Sequence, residues 1–274
     1  MIGIYFSGTG NTARCVERLV KLIDGSSIAL PLEGDAAKAA IAKNSVIVFG
    51  YGVHNSDMPY FVHEFIINNK GLWRGKKILC VATMASLGGD GAGRSAKLFK
   101  KYGATILGGL HIVMPDNICE VKDKKGEEID PQKLYLESLQ YESNLKKLHE
   151  ERRDIIRQAD ERIEEVVADI KKGKYPKDGL GAFASLGGSS GQKLWIKKLS
   201  REYNNQLKIN EDLCDGCRIC VQQCPMKNLS VEEGKAMASG RCTACYRCIN
   251  KCPQKAITLC GDRIDQQYKI EKYC

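Results

Sequence analysis

Two copies of one cysteine pattern near the end of the chain constrain its fold most strongly. The pattern is C-x-x-C-x-x-C-x-x-x-C-P, and its cysteines are Cys214, Cys217, Cys220 and Cys224, then Cys242, Cys245, Cys248 and Cys252. In such a run three closely spaced thiolates ligate one 4Fe–4S cluster, whereas the fourth, before proline, ligates the other cluster. We therefore predict two 4Fe–4S clusters. The first set of ligands is Cys214, Cys217, Cys220 and Cys252. The second is Cys242, Cys245, Cys248 and Cys224.

Zinc is the alternative interpretation of cysteine pairs at this spacing. It gives no reason for two complete copies that each end in Cys-Pro, so the spacing favours iron. Ten of the thirteen cysteines follow residue 200. In a chain without an export signal, such a concentration indicates metal or redox chemistry rather than disulfides. Cys260 and Cys274 lie outside the pattern, and we expect them to be free thiols.

The segment 206–274 resembles the two-cluster bacterial ferredoxins. The resemblance implies a small α+β domain that transfers single electrons at low potential. In the two copies, Asp215-Gly216 and Thr243-Ala244 occupy the first loop with small or turn-forming residues. These leave backbone N–H groups free to donate hydrogen bonds to cluster sulfurs.

The first half of the chain alternates between apolar, strand-like runs and helical patterns. The strand-like runs are 2–6, 45–49, 77–82 and 110–114, with a weaker one near 27–31. The helical patterns are 12–23, 35–43, 59–68 and 91–102. Continuous apolar strands that alternate with helices predict a parallel sheet covered on both faces. We predict the α/β class and a flavodoxin-like, doubly wound, five-stranded sheet.

A glycine-rich turn follows the first predicted strand and opens a helix. Its residues are Ser7, Gly8, Thr9, Gly10, Asn11 and Thr12. A helix N-terminus offers unpaired N–H groups to an anion. The dinucleotide pattern GxGxxG and the GK[ST] ending of nucleoside-triphosphate loops are both absent. The turn resembles the phosphate loop of flavodoxins, which implies bound FMN and no metal at this site.

The same resemblance implies that two later loops hold the flavin ring. The first contains Gly52, Val53, His54 and Asn55. The second contains Thr83, Met84, Ala85, Ser86, Leu87, Gly89 and Asp90. Together with Met114-Pro115-Asp116-Asn117, these loops resemble those of the fused flavodoxin–ferredoxin proteins of anaerobes. His54 departs from the expected Pro-x-Tyr, and its ring either contacts the flavin or faces solvent.

Asp130-Pro131 begins a long helical pattern that ends near Gly173. We expect its later part, near 154–172, to pack on the sheet. The earlier part belongs to an insertion at about 120–153 that forms a helical hairpin or an extension. The predicted domains are 1–175 for FMN, 176–205 for a linker with a short helix near 193–204, and 206–274 for the clusters.

The formal net charge is +9. Two oxidised clusters and an FMN phosphate contribute roughly −6, so the excess mainly neutralises cofactors and does not predict nucleic-acid binding. No apolar run approaches the length of a membrane span, and the first strand leaves no room for a signal peptide. We expect a cytoplasmic protein of a strongly reducing or anaerobic host.

These features predict an electron-transfer protein, because FMN exchanges two electrons or one and each cluster exchanges one. The predicted partners are redox proteins, such as a ferredoxin or an oxidoreductase. One alternative is an FMN-dependent reductase of a small organic acceptor that the clusters supply with electrons. Another is a redox-sensing protein that binds partners through its helical insertion. No acid–base pair or nucleophile motif favours the reductase.

Overall fold

A five-stranded parallel sheet forms the first half of the protein. The computed structural model describes residues 1–54, 57–86, 91–122, 131–181 and 206–274, with the backbone alone over 131–142. The strands are β1 (Ile2–Phe6), β2 (Ala29–Pro31), β3 (Val46–Gly52), β4 (Lys77–Met84) and β5 (Thr105–Val113). They lie in the order β2-β1-β3-β4-β5. This order is that of the flavodoxin-like doubly wound fold, so the fold prediction is confirmed.

Helices cover both faces of this sheet, which explains why its strands are apolar throughout. The helices are α1 (Asn11–Ile23), α2 (Asp35–Lys43), α3 (Tyr60–Asn68), α4 (Gly91–Lys101) and α5 (Pro131–Lys171). On one face Phe49 packs in a buried aromatic group with Trp73 and Phe99. On the other face lies a second apolar core that includes Leu19 and Ile163. Burying both faces stabilises the parallel sheet by removing its apolar side chains from water.

Strand β5 begins five residues earlier than the apolar run 110–114 predicts. Its first half contains Gly108 and Gly109, where a Cβ atom would lie 2.5 Å from the Pro176 carbonyl oxygen and 2.3 Å from that of Asp178. Residues 176–178 therefore approach the strand closely, and Lys177 forms a parallel bridge with Gly109. Glycine is required there because another backbone occupies the space of a side chain.

Helix α5 is one continuous helix from Pro131 to Lys171, which favours an extension over a hairpin for the predicted insertion. Its second half packs on α1 through buried residues such as Ile156 and Ile163. Arg14 and Asp160 form an ion pair of 2.7 Å along the same contact. The predicted short helix near 193–204, and most of the predicted linker, lie outside the described residues.

Residues 1–181 are called the sheet unit below, and residues 206–274 are called the cluster unit. The cluster unit contains only short elements: β7 (Lys208–Ile209), α6 (Ile219–Gln223), β8 (Leu229–Glu232), β9 (Lys235–Ala238), α7 (Arg247–Lys251), β10 (Ile257–Thr258) and β11 (Arg263–Ile264). Strand β11 pairs with β6 (Glu120–Val121) of the sheet unit. None of the described helices combines the length and the apolar composition needed to span a bilayer.

Candidate cofactor sites

The two cysteine loops have the same backbone conformation. Left-handed residues recur at matching positions, counted from the cysteines of each copy: Gly216 and Ala244, Arg218 and Tyr246, Lys227 and Lys255. Non-glycine residues seldom adopt positive φ, so five of them here indicate a backbone that the surrounding structure imposes. The sequence repeat is therefore also a structural repeat. In each copy the third cysteine lies in a short helix, Cys220 in α6 and Cys248 in α7.

Backbone N–H groups point at the cysteine sulfurs in both copies. Asn228 N donates to Cys224 Sγ at 3.3 Å, and Ala256 N donates to Cys252 Sγ at 3.4 Å, which is the same contact in the two repeats. Ala244 N donates to Cys242 Sγ at 3.3 Å. Such hydrogen bonds stabilise negative charge on sulfur, as cluster ligands require.

The cysteine thiols of the two copies lie close enough to raise one another's pKa. Burial raises the pKa of Cys220, and the charges of Cys252, Cys214 and Cys217 raise it further. Burial likewise raises the pKa of Cys248 well above its usual value, and the charges of Cys245, Cys242, Cys224 and Cys220 raise it further. Cys252 of the second copy is therefore close to the first copy, and Cys224 of the first copy is close to the second. The exchange of fourth ligands stays a prediction, which this proximity favours.

The residues present fit iron–sulfur clusters. Crowded thiolates repel one another unless a cation lies among them, and cluster iron supplies that positive charge.

A cavity lies at the carboxyl ends of the sheet strands, where doubly wound folds bind ligands. Five residues of the predicted phosphate loop line it: Ser7, Gly8, Thr9, Asn11 and Thr12. Six residues of the predicted ring loops line it as well: Gly52, Val53, His54, Thr83, Met84 and Ala85. The segment 114–117 completes the wall. Gly10 and Ser86 do not line this cavity, and the predicted residues Asn55, Leu87, Gly89 and Asp90 lie outside the described residues.

The phosphate loop has the chemistry that a flavin phosphate requires. Gly10 precedes α1 with φ of 102°, which allows the chain to turn into the helix. Gly10 N donates to Ser7 Oγ at 3.1 Å, and the hydroxyls of Thr12 and Thr83 lie 2.8 Å apart. Among the described residues of the wall Asp116 is the one acidic residue, and its carboxylate accepts a hydrogen bond from Ile118 N. Hydroxyl groups, an amide and a helix N-terminus therefore face the cavity, and they fit an anionic ligand.

The second cysteine loop packs directly on the phosphate loop. A Cβ atom on Gly8 would lie 2.0 Å from the carbonyl oxygen of Cys245, so only glycine permits this approach. Cys245 is buried in the same apolar core as Phe6 and Met84 of the sheet unit. The first cysteine loop is placed differently, since its Cys217 is exposed. The second loop is thus in direct contact with the predicted phosphate loop.

His54 lies at the contact between the two units. Its Nδ1 is 2.9 Å from the carbonyl oxygen of Thr243. Because a carbonyl only accepts hydrogen bonds, Nδ1 carries the proton and Nε2 remains the acceptor. Nε2 lies on the side of Gly52, at the wall of the cavity. Burial lowers the pKa of His54 from its usual 6.5, and the hydrogen bond to Thr243 opposes this shift. His54 is partly buried at this contact.

Arg247 is a residue of the contact between the two units that the sequence analysis missed. Its guanidinium donates to the carbonyl oxygen of Ser7 at 2.8 Å and to Glu33 Oε1 at 2.6 Å. It also lies 5.5 Å from the centre of the Phe6 ring. The equivalent position in the first copy is Ile219, so comparing the two repeats would have shown one charged residue where its counterpart is apolar.

Comparisons with known proteins agree with this architecture. Residues 206–265 match the family model described as a 4Fe–4S dicluster domain. This match confirms the prediction of a dicluster domain, which places two 4Fe–4S clusters in the cluster unit. No curated protein matches the sequence.

The sheet unit is similar to flavodoxins of known structure. The two-electron reduced flavodoxin of Megasphaera elsdenii is 28% identical, with a TM-score of 0.36, over 43% of this chain and 90% of that one. A flavodoxin from Streptococcus pneumonia TIGR4 is 13% identical, with a TM-score of 0.34, over 61% of this chain and 97% of that one. The strand order alone defines the fold, and the chain joins a flavodoxin-like sheet to a dicluster domain.

Proposed function

We propose that the protein passes electrons between its two 4Fe–4S clusters and one FMN within a single chain. One observation carries the proposal: the loop of Cys242, Cys245 and Cys248 lies on the phosphate loop, with the Cys245 carbonyl against Gly8. Electrons cross proteins faster over short distances, and this packing leaves no room for another layer between the second loop and the flavin loops. The clusters supply one-electron chemistry, and FMN supplies one- or two-electron chemistry.

The residues of the chain have separate roles in this proposal. Ser7–Thr12 bind the phosphate through backbone N–H groups and hydroxyls, because the start of α1 lies at the cavity. The two predicted ring loops, which include His54 and Ala85, form the walls around the flavin ring. Arg247 holds the second cysteine loop against Ser7, and His54 holds it through Thr243.

The position of each loop also supports an order for the two clusters. The cluster of Cys242, Cys245, Cys248 and Cys224 is next to the flavin. The cluster of Cys214, Cys217, Cys220 and Cys252 is nearer the surface, because Cys217 and the neighbouring Leu213 are exposed. A redox protein that exchanges single electrons would approach the exposed cluster. Redox proteins are therefore the proposed partners.

His54 bears on the alternative reductase function. A proton donor at neutral pH needs a pKa near 7 and a proton that faces the acceptor. The pKa of His54 is lowered by burial, and its single proton is held by Thr243. Electron transfer is thus the better-supported function.

Rapid reduction of the anaerobic protein tests the proposal. Cluster and flavin absorbance are followed after mixing with a one-electron reductant at several protein concentrations. We expect electrons that enter the clusters to reach the flavin at a rate independent of protein concentration. A rate proportional to concentration would show transfer between molecules only. A flavin that stays oxidised beside two reduced clusters would reject the proposal.

A further inference from the structure

Tyr268 connects the cluster-binding helix α7 with the predicted phosphate loop. Its backbone N–H donates to Asn250 Oδ1 at 2.6 Å, and its hydroxyl donates to Asn11 Oδ1 at 2.6 Å. Asn250 lies between the ligands Cys248 and Cys252, and it is 2% exposed. Asn11 is the first residue of α1. One buried tyrosine therefore spans the distance from a cluster helix to the helix that opens at the flavin cavity.

Further hydrogen bonds connect Asn250 and Asn11 through the segment 115–117, so that these residues form a closed network. Asn250 Nδ2 donates to the carbonyl oxygen of Asn117 at 3.1 Å, and Asn117 Nδ2 donates to Thr9 Oγ1 at 3.0 Å. On the other side, Asn11 Nδ2 donates to the carbonyl oxygen of Pro115 at 2.9 Å. The side chains of Thr9 and Asn11, which face the cavity, are thus both held by groups that lead back to α7.

A partly buried amide is held in one orientation when each of its polar atoms has a partner. Asn11 has Pro115 as acceptor and Tyr268 as donor, which fixes both the amide and the first turn of α1. Loss of the tyrosine hydroxyl would leave Asn11 Oδ1 without this donor and would free the side chain to turn into the cavity. An orientation fixed before binding lowers the cost of ordering the loop around a ligand.

We propose that Tyr268 is a positioning residue that couples flavin binding to the docking of the cluster unit. Flavin affinity then depends on a side chain outside the sheet unit. By linkage, a bound flavin holds the cluster unit in place to the same extent. The proposal rests on the proposed binding of FMN at Ser7–Thr12, and it assigns part of that site to the C-terminal segment of the chain.

Tyr273 provides a matched control. The rings of Tyr268 and Tyr273 stack with centroids 5.6 Å apart, and both lie against the guanidinium of Arg152. The hydroxyl of Tyr273 accepts a hydrogen bond from Arg152 at 2.7 Å rather than reaching the phosphate loop. Tyr268→Phe and Tyr273→Phe each remove one oxygen from the same stacked pair, and only the first removes a contact to Asn11.

The experiment titrates FMN into the anaerobic, full-length protein that retains both clusters but has lost its flavin. We expect Tyr268→Phe to weaken FMN binding roughly three- to tenfold, the effect of losing one hydrogen bond, with unchanged iron content. Tyr273→Phe should bind FMN as the wild type does. Asn11→Ala should weaken binding as well, and adding Tyr268→Phe to it should have no further effect, because the tyrosine acts through Asn11.

A second measurement tests the reciprocal effect. FMN should slow amide hydrogen exchange in residues 247–251 of the wild type and of Tyr273→Phe, but not of Tyr268→Phe. Equal affinities in Tyr268→Phe and wild type, or additive effects of Tyr268→Phe and Asn11→Ala, would overturn the proposal while leaving the FMN site intact. A wild-type protein that binds no FMN would reject the proposed function and this inference with it.

Discussion

Arg247 and Glu33 form an ion pair of 2.6 Å between the cluster unit and the turn that follows β2. The side chains are 15% and 27% exposed, so water screens the pair less than it screens a surface pair. Glu33 Oε2 has no hydrogen-bond partner, and Arg247 donates to the carbonyl oxygen of Ser7 as well. One guanidinium thus joins the second cysteine loop to two segments of the sheet unit.

Arg247→Gln should loosen the contact between the two units and slow electron transfer from clusters to flavin about tenfold or more. Removing the charged donor leaves Glu33 partly buried and unpaired, which typically costs about 1.5–3 kcal/mol. The control is Arg241→Gln, because the side chain of Arg241 donates to Lys227 and Ser239 within the cluster unit. Rapid reduction of both variants measures the rates. Equal rates in the two variants would contradict the role of Arg247.

Cys220→Ser should remove one of the two clusters. The wild type should contain about eight irons and eight acid-labile sulfides per chain when prepared without oxygen, and the variant about half as many. Cys274→Ser is the control, since Cys274 is exposed and outside the cysteine repeats. Iron and sulfide analysis decides the matter. Zinc in place of iron, or an unchanged iron content in Cys220→Ser, would show that the ligands are misassigned.

Thr9→Asp should release the flavin. The new carboxylate would lie in the wall of the cavity and repel the phosphate. Thr105→Asp makes the same change at an exposed position at the start of β5 and should retain flavin. Flavin fluorescence after gel filtration measures the loss, and chromatography identifies the flavin. FAD as the released flavin, or full FMN retention in Thr9→Asp, would refute the phosphate-loop assignment.

His54 should make the docking of the cluster unit sensitive to pH. The pKa of His54 is lowered when the units are docked, so the undocked histidine binds protons more readily. Docking stability is therefore complete above about pH 6.5 and decreases as the pH falls below it, by at most about 1.4 kcal/mol per pH unit. Native-state hydrogen exchange of residues 243–246, corrected for the intrinsic effect of pH, measures the free energy of opening.

His54→Gln keeps a donor for Thr243 without a titratable group, so its opening free energy should not decrease between pH 6.5 and 5 as that of the wild type does. His63→Gln, on α3, is the matched control and should behave as the wild type. A wild-type profile as flat as that of His54→Gln would contradict the prediction.

Local patterns in the sequence were sufficient to predict the elements of the sheet and the two cluster loops. Buried strands such as β3 and β4 are continuous apolar runs, and cluster ligands must lie a few residues apart, so both leave a readable pattern. The turn at Ser7–Thr12 was also predictable, because its residues are consecutive in the sequence. Strand β5 was predicted only in part. Its residues Gly108 and Gly109 are glycines because a segment more than sixty residues later packs against them, and this contact leaves no local apolar pattern.

The sequence by itself determined that the protein has two equivalent cysteine loops and a glycine-rich turn after its first strand. It did not determine which cysteine loop meets that turn, because both loops have the same spacing. Tertiary structure decided this through contacts between residues far apart in the chain. Arg247 reaches Ser7 across 240 positions, and Tyr268 reaches Asn11 across 257. Such pairs produce no local pattern in the sequence, since they depend on how two folded units pack against each other.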